Sequence, residues 1–230
     1  TRKESSAASD VYKRQAINEV YEVTRLEYRE AKETICKLID ARLDYLFGEG
    51  DKVTLFNPHG YTRNDVVNLG KIDAKAIQAS DGSVYAVQQT NDGAIAYVEN
   101  LPSKGYESFT KLAQEVESKN RLVLSADKHS IETPFYDVKF DEDFNITSIY
   151  DKNNKREVVQ DGKRANLLRV YEDKPMYYDN WDIDYYYTEK FWDLTDVESA
   201  EWVEVGDIRA TLRVVRKFSN STLNQDIHFY

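Results

Sequence analysis

The apolar residues of this chain change their period once, at a pair of glycines. From Ile17 to Phe47 the residues Ile17, Val20, Tyr21, Tyr28, Ala31, Ile35, Leu38, Leu43 and Leu46 recur mostly three, four or seven apart, and Gly48 and Gly50 follow. That spacing lays one stripe along an α-helix, and the glycines supply its stop. At ~1.5 Å per residue the helix runs on the order of 45 Å. A one-sided stripe of that length calls for other helices against it, so residues 16–50 are expected to be a remnant of a helical bundle. Cys36 lies near the stripe and is expected to pack there as a small residue.

After Gly50 the period becomes two, with turn signals at Asn57-Pro58, Asp81-Gly82, Asn91-Asp92-Gly93 and Ser103-Lys104-Gly105. Short strands joined by hairpins are the expectation. Val53 to Phe56, Val84 to Gln88 and Ala94 to Val98 are the clearest strands of a small β domain over residues 51–124. From Ile131 the segments FYDVKF and ITSIY alternate around the turns DEDFN and DKNNK, the pattern of an antiparallel meander. Ala165 to Tyr171, Ile208 to Phe218 and Thr222 to Tyr230 add strands. Residues 125–230 are therefore expected to be the first part of a large antiparallel β-sandwich, truncated inside its last strand. Residues 1–15 show neither period nor cap and are expected to be a non-native or disordered end.

The balance of 31 Lys plus Arg against 41 Asp plus Glu gives a net charge of -10. Such a field repels a phosphate backbone, so nucleic acid is excluded as a partner. No apolar run approaches the ~18 residues of a membrane span. One cysteine allows no internal disulfide, and no signal segment is visible, which places the chain in a reducing, cytoplasmic setting.

His59, His129 and His228 are far apart and have no second ligand at a metal-binding spacing, so no metal site is expected within the chain. No nucleophile elbow or phosphate-cradling glycine loop occurs, and no catalytic residue is assigned. Two Asn-x-Ser/Thr triplets, at Asn145 and Asn220, are read as chance. The densest chemistry is Tyr171 to Lys190, YEDKPMYYDNWDIDYYYTEK, where Glu172, Asp173, Asp179, Asp182 and Asp184 surround Trp181 and six tyrosines. So many carboxylates cannot be buried cheaply. A sugar-facing loop suits the mixture, with rings for stacking and carboxylates for hydroxyls; an irregular aromatic loop covering a sheet would look the same.

DKPMYYDNWDID resembles the DxPxxxDxWD-type stretch in the β-sandwich of bacterial family 38 α-mannosidases. LFNPHGYTRNDVV, ENLPSKGYESF, IETPFYDVKFDEDFNITSIYDKNNKREVV and IRATLRVVRKFSNSTLNQDIHFY are similar to segments of the same family, in the same order. The likeness spans residues 16–230, with departures at His59-Gly60-Tyr61 and Thr133-Pro134. It implies a mainly β chain of the galactose-mutarotase-like supersandwich type behind a bundle helix. It also implies the accessory portion of a retaining, zinc-dependent α-mannosidase that acts on terminal α-D-mannosides in mannose-containing oligosaccharides. The zinc ligands and catalytic carboxylates of that family lie upstream, in an α/β barrel that would be this segment's partner in the same chain. The segment alone is expected to be inactive. By the same resemblance Asp173, Asp179, Trp181 and Asp182 are the candidate substrate-binding residues. A non-catalytic carbohydrate-binding sandwich and a purely structural domain are the competing readings.

Overall fold

The computed structural model describes residues 18–48, 50–118, 122–125, 128–178 and 182–230. The expected end at residues 1–15 and Ile17 lie outside them. The chain divides after Asp51 into a helical unit and a β unit.

The helical unit is α1 (Asn18–Phe47). Asn18 Nδ2 donates to Glu22 Oε1 one turn on, at 2.9 Å. At the other end Gly48 takes φ +63°, and its amide donates to the Asp44 carbonyl at 2.8 Å. This is the left-handed glycine cap that ends a helix without straining a Cβ. No residue of α1 is buried, and Cys36 is exposed rather than packed. The expectation for Cys36 is therefore corrected: the stripe it borders has no cover here. Among the described residues no helix is long and apolar enough to cross a membrane.

The β unit is antiparallel throughout. Its first part runs through β1 (Lys52–Asn57), β2 (Arg63–Gly70), β3 (Ala76–Gln78), β4 (Val84–Ala86), β5 (Gln88–Thr90), β6 (Gly93–Leu101) and β7 (Gly105–Leu112). They form two small sheets, β1-β7-β3-β4 and β2-β6-β5. Ile77, Ala94, Ala96, Val98 and Phe109 fill the space between them. The predicted single strand Val84 to Gln88 is in fact two: β4 pairs with β3, β5 pairs with β6, and Val87 carries the chain from one sheet to the other. Asn57 of the Asn-Pro turn is buried, its Nδ2 reaching the carbonyls of Tyr61, Pro102 and Leu101 at 2.9, 3.1 and 3.3 Å. Gly93, at φ +135°, meets the Gly70 carbonyl so closely that no Cβ fits.

The second part contains β8 (Val123–Leu124), β9 (Ser130–Glu132), β10 (Tyr136–Phe140), β11 (Ile146–Asp151), β12 (Arg156–Glu157), β13 (Arg169–Tyr171), β14 (Phe191–Asp193), β15 (Val197–Glu204), β16 (Ala210–Phe218) and β17 (Ser221–Phe229). A five-stranded sheet, β12-β11-β10-β9-β8, and a three-stranded sheet, β15-β16-β17, enclose one apolar core; β13 and β14 form a separate ribbon. Phe140, Trp202 and Phe229 meet edge-on or tilted in that core, with centroids 5.7–6.2 Å apart. Such aromatic trios add specific geometry to area burial. The molecule is mainly β with one long helix, the expected class. The strand expected from Ala165 shortens to β13, with Ala165 keeping only an isolated bridge to Ile146.

The two parts of the β unit are joined through Gln88. Its Oε1 accepts the amides of Ile208 and Arg209, both at 2.9 Å, and its Nε2 donates to Glu204 Oε1 at 2.7 Å and the Arg209 carbonyl at 2.8 Å. Glu204 is in turn bridged to Arg209 at 2.8 Å. A cross-linked polar set with every group satisfied fixes one geometry where an apolar contact would tolerate several.

Candidate functional site

The aromatic and acidic stretch is carried on the β13–β14 ribbon. Arg169, Val170 and Tyr171 pair with Asp193, Trp192 and Phe191. The Glu172 amide extends the ladder to the Lys190 carbonyl at 3.0 Å. The described residues 173–178 and 182–189 thus leave and return at one point, the base of one loop. Its base is tied by charge and rings: Arg169 bonds Asp193 at 2.6 Å and lies 3.9 Å from the Phe191 ring centroid, while Tyr171 contacts Tyr187 edge-on at 5.1 Å.

The carboxylates of the loop divide into held and free ones. Glu172 takes Lys190 at 2.7 Å and Lys174 at 3.1 Å, and these two ammonium groups hold its carboxyl below the usual carboxylate range. Asp184 Oδ2 accepts the Tyr186 hydroxyl at 2.7 Å and the Met176 amide at 2.8 Å. Those donors lower the Asp184 carboxyl, and the bond to that carboxylate raises the Tyr186 phenol. Asp173 and Asp182 are exposed, and their carboxylates have no partner among the described residues. Asp179 and Trp181 lie outside the described residues. Of the four predicted residues, two are thus placed, both on the solvent side of one loop.

Sequence reasoning missed Tyr186 and Lys190, which shape the loop from within. The Asp184-x-Tyr186 spacing was the available signal for the first, whereas Glu172 and Lys190 meet only because the ribbon closes. Tyr177 and Tyr185 are 71% and 83% exposed, and Met176, Tyr178 and Ile183 also face solvent. A carboxylate-bearing surface with that much unburied ring area can offer stacking faces and hydroxyl acceptors together. A groove of about 300 Å³ beside Lys75, Gln89, Glu115 and Asp207 is formed by other residues, at the Gln88 junction. Among the described residues no group of three or more His, Cys, Asp or Glu side chains is placed to hold a metal ion.

Residues 131–230 match the glycosyl hydrolases family 38 C-terminal domain. The matched stretch is thus similar to the C-terminal domain of that family. The matched region holds the β10–β11 meander, the aromatic ribbon and the β15-β16-β17 sheet. The fold is similar to that of an alpha-mannosidase from Enterococcus faecalis V583, at a TM-score of 0.58 and 15% identity over 87% of this chain. The chain spans 28% of that mannosidase's length. No match was found among curated proteins.

Proposed function

We propose that this chain is the accessory portion of a retaining, zinc-dependent α-mannosidase hydrolysing terminal α-D-mannosides, and that loop 173–189 stands at the rim of its sugar pocket. The observation that carries this reading is that exposed rings and carboxylates of this loop, among them Tyr177, Tyr185, Asp173 and Asp182, fall inside the stretch similar to the family 38 C-terminal domain. Retaining hydrolysis needs two carboxylates flanking the glycosidic bond, and in this reading they belong to a barrel outside these residues. The described donors do not fit zinc, whose ligands in this reading belong to the same barrel. What this chain supplies is recognition: Asp173, Asp179 and Asp182 accept sugar hydroxyls, and Trp181 with the neighbouring tyrosines stacks on C–H faces of mannose-containing oligosaccharides.

The deciding experiment compares the 230-residue chain with an enzyme carrying the same segment behind a catalytic barrel. The longer enzyme should release aryl alcohol from an aryl α-mannoside, and the chain alone should not, with or without added zinc. Turnover by the chain alone, or a barrel-bearing enzyme inert toward α-mannosides, would sink the reading. The exposed rings also favour a carbohydrate-binding sandwich without catalysis. That alternative requires calorimetric affinity of the chain alone for mannosides.

A further inference from the structure

Both ends of the β13–β14 ribbon are fastened to one turn far back in the chain, residues 141–145 between β10 and β11. On the entry side Ala165 exchanges two backbone bonds with Ile146, at 2.8 and 3.2 Å, directly beside that turn. Arg164, one residue earlier, sets its Nε 2.7 Å from Asp141 Oδ2. On the exit side the Leu194 carbonyl is held by Arg216, whose guanidinium also binds the Asp143 carbonyl and Asn145 Oδ1. The Leu194 amide donates back to the Leu168 carbonyl at 2.9 Å, so the two ends also hold each other.

Asp141 is the hub. Its Oδ1 accepts the amides of Asp143 and Asn145, at 3.0 and 2.9 Å, and Asn145 Nδ2 lies 3.3 Å from both of its oxygens. Oδ1 thus shapes the turn while Oδ2 takes the Arg164 cation. The Asp141 side chain is 17% exposed, so water screens this pair less than a pair on open surface. Asn145 is buried and links the same carboxylate to Arg216. A chain of contacts therefore runs from entry to exit through Arg164, Asp141, Asn145, Arg216 and Leu194. Arg164 also acts across the ribbon: Arg169 foremost, with the field of Arg164 added, holds the Asp193 carboxyl below the usual carboxylate range.

We propose that Asp141 and Arg164 are positioning residues for the candidate sugar loop, setting where the ribbon, and with it Asp173, Tyr177, Asp182 and Tyr185, stands on the sandwich. They act through the loop and not on the reacting atoms. The proposal rests on the reading of that loop as the rim of a mannoside pocket. A ribbon held at both ends by one turn has a fixed root, and the rings and carboxylates borne on it are pre-ordered for a ligand. Loosening the root keeps those groups present but spreads their positions, which weakens binding and spares the chemical step.

The test removes the ion pair and leaves the turn, since Arg164→Gln keeps every bond that Asp141 makes within residues 141–145. In the full 230-residue chain it should speed hydrogen exchange at the Glu172 and Leu194 amides, which close the ribbon, about fivefold. In an enzyme carrying this segment behind a catalytic barrel it should raise KM for an aryl α-mannoside about fivefold, with kcat and Tm little changed. Arg164→Lys should restore much of the loss. Arg213→Gln is the control: it breaks an equally short pair, to Asp226 at 2.7 Å, in the same sandwich, and should move neither readout. Exchange or KM that ignores Arg164→Gln, or that Arg213→Gln shifts equally, overturns the proposal. A parent enzyme inert toward α-mannosides instead sinks the functional reading, before any substitution is made.

Discussion

Arg216 donates to the carbonyl of Leu194 at 3.1 Å, so a central strand of the sandwich holds the outgoing end of the aromatic ribbon. The same guanidinium reaches the Asp143 carbonyl at 2.7 Å and Asn145 Oδ1 at 3.3 Å, tying in the turn between β10 and β11. Arg216 is 2% exposed, and burial pushes its guanidinium pKa down against the opposing pull of Asp143 and Asp141.

Removing that side chain leaves three acceptors unpaired in the interior. Arg216→Ala should cost about 3–5 kcal/mol by urea unfolding. Arg216→Lys should recover only part, because an ammonium cannot span a planar fork of acceptors. Equal stability of the alanine variant and the parent would refute this clamp.

Glu157 predicts an acid-sensitive edge. Its carboxylate accepts the Ser148 hydroxyl at 2.6 Å and the amides of Val159 and Ile149 at 2.9 and 2.8 Å. These bonds, the hydroxyl foremost, lower its pKa from 4.5 to about 2. A carboxyl lowered on folding stabilises the fold above its unfolded value, and that contribution is lost as pH falls from about 4.5 towards 2. Acid titration monitored by circular dichroism should show Glu157→Gln losing less stability than the parent across that window.

Gly206 lies against the Gln88 amide with no room for a Cβ. Gly206→Ala should displace Gln88 from its four partners and cost about 1–3 kcal/mol. Gln88→Ala should remove most of the further effect of Gly206→Ala, since both act on one cluster. Additive losses in the double variant would show the two to be independent.

The loop assignment is tested in an enzyme that carries the barrel. Trp181→Ala and Asp182→Asn should each lower kcat/KM by a factor equivalent to about 1–3 kcal/mol, with little change in Tm. A sharp fall in Tm with normal kcat/KM in the folded fraction would make the loop scaffold.

The sequence made the β10–β11 meander legible because alternation there is bounded by two charged turns, and α1 because its glycine stop coincides with the end of its stripe. β15 escaped notice: VESAEWVE is an edge strand with little apolar alternation, so its pairing to β16 decides its structure. The break at Val87 also depends on partners, since β4 and β5 differ only in which sheet receives them. At the candidate site, residue types were readable but pairings were not. Glu172 and Lys190 are brought together by ribbon closure, and Arg216 shares the inward face of β16 with Leu212 and Val214, its acceptors coming from segments that only the fold brings near.

The Gln88 cluster also determines how this region can be recombined. A cut near residue 124 follows the change from the small sheets to the sandwich, yet it parts Gln88 from Glu204, Ile208 and Arg209. One half would then expose the Gln88 carboxamide, and the other the amides and the carboxylate shaped for it. A chimera that takes the small sheets from one relative and the sandwich from another must therefore inherit Gln88, Glu204, Gly206 and Arg209 as a set.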